Sequence, residues 1–269
     1  MRISNNVAAM NTYRQYSSNA ITTNKSMEKL SSGSRINRAA DDAAGLSISE
    51  KMRSQIRGLT QANRNAQDGV SFIQTAEGAL NEVSDMLTRL KELAVQVQNG
   101  TYSDADKINI GAEMKALGTA VAEIYANTKF NGISVFGEQE NSAGVLTSKD
   151  GTGNAATIAY GENATQSITI KQSKTEKLNA LTVKTAAATT AENAANVTVD
   201  LVEEAITEVN TQRASYGAQQ NQLEHASNNM ATTKENLQAA ESRVRDVDMA
   251  EEIMEYTKDN ILLQAAQAM

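Results

Sequence analysis

The side chains that ordinarily carry chemistry are few in this chain and badly placed to cooperate. One histidine, His225, supplies all the imidazole there is, too little for a histidine metal cluster or a histidine-assisted serine triad. The absence of cysteine removes thiolate ligands, cysteine nucleophiles and disulfides, and leaves the redox compartment undecided. Carboxylates occur as the adjacent pairs Asp41-Asp42, Glu203-Glu204 and Glu251-Glu252. An acid/base dyad needs two carboxylates converging on one substrate, and neighbours on a helix diverge by about 100°. These pairs are read as helix caps and solvated faces, and His225 as a solvated or capping residue. No catalytic, cofactor-binding or metal-ligating residue is assigned, and an enzyme is not expected.

Without a reactive constellation, the elements themselves become the question. The 269 residues hold 3 Phe, 7 Tyr and no Trp, so the apolar content rests on Ala, Ile, Leu, Val and 10 Met. Such side chains suit narrow seams between helices better than a wide globular interior, and predict thin rods. Average usage would place roughly a dozen prolines in a chain this long; there are none, so nothing of that kind interrupts long helices. The net charge of -7 is modest and both signs are interspersed, with no basic stripe to attract nucleic acid. No apolar run reaches the roughly 18 residues of a membrane span, and MRISNNVAAMNTYRQ lacks the apolar stretch of a secretory signal.

Periodicity places the rods. Over 52–97 apolar or small residues recur in mostly alternating steps of three and four, with a slip between Ile73 and Ala76, at Met52, Ile56, Leu59, Ala66, Val70, Ile73, Ala76, Leu80, Val83, Leu87, Leu90, Ala94 and Val97. Asn99-Gly100 closes this helix. A second helix begins near Ser103 or Asp104, which can cap it, carries Ile108, Met114, Leu117, Val121 and Ile124, and ends in a turn at Phe130-Asn131-Gly132. Between about 137 and 197, Gly, Thr, Ala, Ser and Asn dominate, and the alternating pieces Ser167-Ile168-Thr169-Ile170 and Ala180-Leu181-Thr182-Val183 predict strands of a small hairpin in an exposed insertion. Helical spacing returns at Val202, Ile206 and Val209 and, after a polar stretch, at Leu223, Met230, Leu237, Val244 and Val247.

Both ends carry weaker seams. Ile3, Val7, Met10, Met27 and Leu30 mark the first, and Ile253, Ile261 and Ala265 the last. Neither has enough apolar surface to fold alone, so the ends need each other or neighbouring copies. Between the first weak helix and the strong one, Gly33 can take the left-handed conformation, and Asp41 or Asp42 can cap the next start.

These residues also carry a resemblance. The segment 29–83, KLSSGSRINRAADDAAGLSISEKMRSQIRGLTQANRNAQDGVSFIQTAEGALNEV, resembles the N-terminal signature of bacterial flagellins, as do LKELAVQ at 90–96, KFNG at 129–132 and a C-terminal run over 212–269 containing QNQLEHASNN and DNILLQAAQAM. The likeness extends over both ends in order and leaves out the middle.

The resemblance implies a mainly α fold: a long antiparallel helical hairpin and coiled-coil bundle with a small insertion containing a β-hairpin. By that analogy 1–45 and 246–269 are terminal helices of a filament's inner tube, 46–136 and 198–245 form a surrounding bundle, and 137–197 faces outward. It implies a structural, extracellular subunit that polymerises with itself and leaves the cell through the flagellar export apparatus without a cleaved signal. Expected partners are an export chaperone at the C-terminal segment and the filament cap and hook-junction proteins. It further implies that Arg89, Leu93 and Glu113 match the positions by which many flagellins engage the animal toll-like receptor for flagellin; from spacing alone they read as an ion pair beside a core leucine. Family members usually continue beyond the position of Met269 with a helical stretch ending in leucines. A hook–filament junction protein shares such ends, and a cytoplasmic coiled-coil adaptor shares the heptads.

Overall fold

The structure is a computed structural model describing residues 7–136, 139–142, 145–148, 156–161, 166–170 and 175–268. Ile3 and the tips of the middle region lie outside the described residues. By its internal contacts the chain forms two units, 1–60 with 231–269, and 61–230.

In the first unit, α1 (Val7–Ser32) ends where Gly33 adopts φ 68° and its N–H closes on the Lys29 carbonyl at 2.8 Å. The two aspartates of the connector then divide the work, Asp41 closing the connector's own turn and Asp42 capping the next helix. Asp41 Oδ2 accepts the N–H groups of Asn37 and Arg38, at 3.3 and 3.0 Å, and Asp42 Oδ1 accepts that of Gly45 at 2.9 Å to open α2 (Ala43–Gln98). At the other end α6 (Val199–Arg245) gives way to α7 (Met249–Ala268), whose start is capped by Asp248 Oδ1 accepting from Ala250 N–H at 2.9 Å. The two connectors meet as a short antiparallel bridge: Arg35 N–H donates to the Arg245 carbonyl at 2.7 Å and Val247 N–H to the Gly33 carbonyl at 3.2 Å.

In the second unit the expected heptad seam is the core. Leu80, Val83, Leu87, Leu90, Ala94 and Val97 of α2 are buried with Met114, Val121 and Tyr125 of α3 (Asp104–Asn127) and Val202, Ala205, Val209, Tyr216 and Leu223 of α6. Within this unit α2 and α6 run antiparallel, tied by Asn63 Nδ2 to the Ser227 carbonyl at 3.4 Å and by Lys91 with Glu203 at 2.8 Å. Ser103 caps α3 in a reciprocal capping box with Asp106, at the start expected from the sequence. After α3, β1 (Lys129–Phe130) and β2 (Ile133–Ser134) form a tight hairpin whose Asn131-Gly132 turn has φ 49° and 79°, the signature of a type I′ turn. Two further antiparallel hairpins follow, β3 (Gln139–Ser142) with β4 (Val145–Ser148) and β5 (Ala156–Ala159) with β6 (Ser167–Ile170), so the expected Ser167-Ile170 strand is present.

One expected strand needs correction. Ala180-Leu181-Thr182-Val183 is not a strand but lies within α4 (Glu176–Ala186), which with α5 (Ala191–Ala195) packs on α3. Leu178, Leu181, Thr182 and Thr185 are buried at helical spacing, and the helix start is held from outside: Glu208 of α6 accepts the N–H groups of Lys177 and Leu178, at 3.0 and 2.9 Å. Close approach is allowed by Gly111 and Gly118; a Cβ at Gly111 would sit 2.7 Å from the Ala188 carbonyl oxygen, and one at Gly118 would meet the Thr185 hydroxyl. The polar stretch after Val209 lies within α6, which runs on as one 47-residue helix. Its inward positions are Gln212 and Tyr216, both buried, with Gln212 Nε2 donating to the Tyr216 hydroxyl at 3.2 Å. Burial pushes the Tyr216 and Tyr125 hydroxyls up from the ordinary phenol range.

Candidate functional site

The terminal pair holds the candidate surface. α1 and α7 pack antiparallel, with Lys29 Nζ 3.2 Å from Glu252 Oε2 at one end and Gln267 Nε2 donating to the Tyr16 hydroxyl at 3.1 Å at the other. The face that α1 presents is formed by Tyr16, Asn19, Thr23, Ser26 and Leu30, and that of α7 by Glu252, Tyr256, Asp259, Leu263 and Ala266, all buried or half-buried. The steps are helical, yet the residues are mostly polar or small. Thr23 satisfies its hydroxyl on the Asn19 carbonyl at 2.8 Å, and Glu252, its side chain 7% exposed, is paired with Lys29. Reading Glu252 as part of a solvated capping pair is therefore corrected; Asp248 caps, and Glu252 turns inward.

The apolar side chains take the remaining surface. Of the residues expected to form terminal seams, Val7, Met10, Met27, Ile253, Ile261 and Ala265 are exposed and Leu30 is half-buried. Val7 and Met10 lie N-terminal to Tyr16, which pairs with Gln267. Alongside α7, Ile21 and Met27 on α1 remain 62% and 48% exposed, while Ile253, Met254 and Ile261 on α7 remain 50%, 67% and 61% exposed. Helices joined through polar contacts while presenting Ile and Met outward have placed their main hydrophobic area where a partner can cover it.

Charge fixes the base of this pair. Glu50 accepts from Arg245 at 2.8 Å and from Arg53 at 3.3 Å, and the Arg245 hydrogen bond holds its carboxyl below the usual range. Arg38 grips Glu28 through two nitrogens, at 3.0 and 3.2 Å, and Arg35 reaches the Val244 carbonyl at 2.7 Å. Sequence reasoning missed this network. The alternating steps of Glu252, Tyr256, Asp259 and Leu263 were available as a signal, but a search for apolar period passes over a polar one.

The second group lies on α2 and α3. Arg89 Nε donates to Glu113 Oε1 at 3.0 Å and its Nη1 to Glu92 Oε2 at 2.8 Å, which raises the guanidinium pKa, Glu92 contributing most. Arg89 and Glu113 stay half-exposed, whereas Leu93 is buried at 1%. His225 is exposed on α6. Among the described residues no helix is long and apolar enough to cross a membrane.

The sequence that builds these helices has counterparts among known proteins. The model of the bacterial flagellin N-terminal helical region matches residues 3–142, and that of the flagellin C-terminal helical region matches 199–269. The chain belongs to the bacterial flagellins. It is 46% identical to a flagellin of Bacillus subtilis (strain 168) over 292 aligned positions, covering 100% of this chain and 95% of that one. A flagellin of Halalkalibacterium halodurans is 45% identical, and the flagellar filament 33 kDa core protein of Treponema phagedenis 42%, each over 100% of this chain and 94% of the relative. Among solved structures, Bacillus cereus flagellin aligns with TM-score 0.50 at 27% identity, over 62% of this chain and 88% of that one. A structure assigned as a flagellar hook-associated protein of Vibrio parahaemolyticus aligns with TM-score 0.64 over 77% of this chain and 100% of that one; at 13% identity it speaks for the fold alone. Flagellins are structural subunits of the extracellular flagellar filament and not enzymes.

Proposed function

We propose that the outward apolar faces of α1 and α7 are the surfaces through which copies of this flagellin polymerise into a filament for swimming. One observation carries the reading: Ile21, Met27, Ile253, Met254 and Ile261 are left uncovered by a terminal pair whose own contact is largely polar. Covering a side chain of this size completely is worth about 1.5–3 kcal/mol, and several together offset the ordering entropy that a thin two-helix element bears alone. Terminal helices of this kind take full order from their neighbours. In the layered arrangement proposed for the filament, 1–45 and 246–269 form the inner tube, 46–136 and 198–245 the bundle around it, and 137–197 the outward part. Limited proteolysis tests the reading. The ends are cut in the monomer and protected in filaments, and equal cutting in both states contradicts it.

The same faces suit the other proposed partners. An export chaperone would hold the C-terminal segment through Ile253, Met254, Ile261 and Leu262, whose exposure supports it. Export then runs through the flagellar export apparatus without a cleaved signal, and the filament cap and hook-junction proteins engage the same termini during growth.

A second reading rests on the exposed Arg89–Glu113 pair, which displays both charges from adjacent helices over the buried Leu93. Its proposed role is recognition by the animal toll-like receptor for flagellin, with Leu93 supporting the pair from beneath. Purified monomer and receptor ectodomain provide the test: Arg89→Ala weakens binding, and undiminished binding removes Arg89 from the site.

A further inference from the structure

We infer that Met27, Met249 and Met254 are sites of two-electron oxidation that close the terminal faces to polymerisation. The inference rests on the assembly reading above and adds a covalent modification that controls it. With no cysteine in the chain, the methionine thioethers are its only oxidisable sulfur atoms. Their distribution is uneven. Met114 and Met230 are buried in the second unit and Met52 and Met86 are half-buried, while Met27, Met249 and Met254 are 48%, 45% and 67% exposed on the terminal helices where α1 and α7 run side by side. Met10 is exposed as well, N-terminal to the Tyr16–Gln267 contact.

The chemistry is direct. A sulfur lone pair attacks one oxygen of hydrogen peroxide, the O–O bond breaks and water leaves, giving the sulfoxide; sulfur is oxidised by two electrons and the peroxide reduced. The product converts a flexible apolar group into a polar acceptor of fixed chirality. Packed against a neighbour's Ile or Leu, that oxygen has no donor. Burying that unpaired polar group would slow incorporation about tenfold for each sulfoxide that must be covered.

The full-length monomer is treated with hydrogen peroxide, its sulfoxides are mapped by peptide mass spectrometry, and its addition to preformed filament seeds is timed beside that of Met27→Leu/Met249→Leu/Met254→Leu. The expected result is wild-type elongation slowed at least about tenfold, with the triple variant keeping its rate after the same treatment. Restoration of the wild type by methionine sulfoxide reductase assigns the loss to these sulfoxides even if the leucine variant assembles poorly. Normal elongation by protein carrying all three sulfoxides overturns the inference, as does equal slowing of the triple variant. Oxidation of assembled filaments separates the two readings. If the thioethers react as fast there as in monomer, the faces are not covered and the assembly reading falls too; if they are protected but oxidation of monomer changes nothing, only the present inference falls.

Discussion

Asp106 and Glu252 are both acidic residues near a helix start, and the structure gives them opposite work. Asp106 is exposed and accepts from the Ser103 hydroxyl at 2.7 Å, the bond that most lowers its pKa. A carboxylate with a depressed folded pKa adds stability above its unfolded pKa, near 4, and the contribution is lost as pH falls through the lower folded value. Protection of the first α3 amides should therefore decline as pH falls below about 4, and Asp106→Asn should flatten that decline in amide hydrogen exchange. An identical decline in the variant would assign the acid sensitivity elsewhere. Glu252, by contrast, is inside the terminal pair against Lys29, itself partly exposed. Removing one partner of such a bond costs more than the bond contributes, because the other charge stays desolvated. Lys29→Met is expected to speed exchange of the α7 amides by about tenfold, a loss of order 1 kcal/mol after allowance for solvent at Lys29. Unchanged α7 exchange would reduce the pair to a surface contact. The sequence could not separate these two acids: both sit in polar surroundings, and only the neighbouring helix decides which one is enclosed.

Elements followed the same division between local and distant causes. The 52–97 seam, the Ser103 cap and the Asn131-Gly132 turn are written in spacing and turn chemistry within a few residues, and all three are present. α4 was illegible because its cap comes from Glu208 and its seat from glycines on α3, both far away in the chain. The terminal apolar residues were visible as candidates, but not which way they face, since the polar face meets the other terminal helix. Two glycine substitutions test the packing account. Gly78 lies in α2 with open space around its missing Cβ, so Gly78→Ala should raise stability by about 0.5–1 kcal/mol through helix propensity. Gly111→Val should lower it by about 1–3 kcal/mol, because the Ala188 backbone cannot yield as a side chain would. Urea unfolding of the full chain followed by circular dichroism measures both; a stabilising Gly111→Val would mean that α5 and its approach do not depend on that glycine.

At the scale of the molecule, the proposed polymerising surface is distinct from the one that holds the terminal pair together. Ile261→Asp, on an outward face, should leave monomer helicity unchanged and abolish sedimentable filaments, since one buried unpaired carboxylate costs several kcal/mol. Normal filaments from this variant would move the polymerising face off α7. The bridge between the Gly33 and Val247 connectors adds a mechanical consequence. Prying the tips of α1 and α7 apart peels the pair one turn at a time, through side-chain contacts that break singly, until the fork reaches Glu252 and then the crossed backbone bonds beside Arg35 and Arg245. A stretched subunit thus has a stop at its root, where a frayed end halts and from which it can zip closed again.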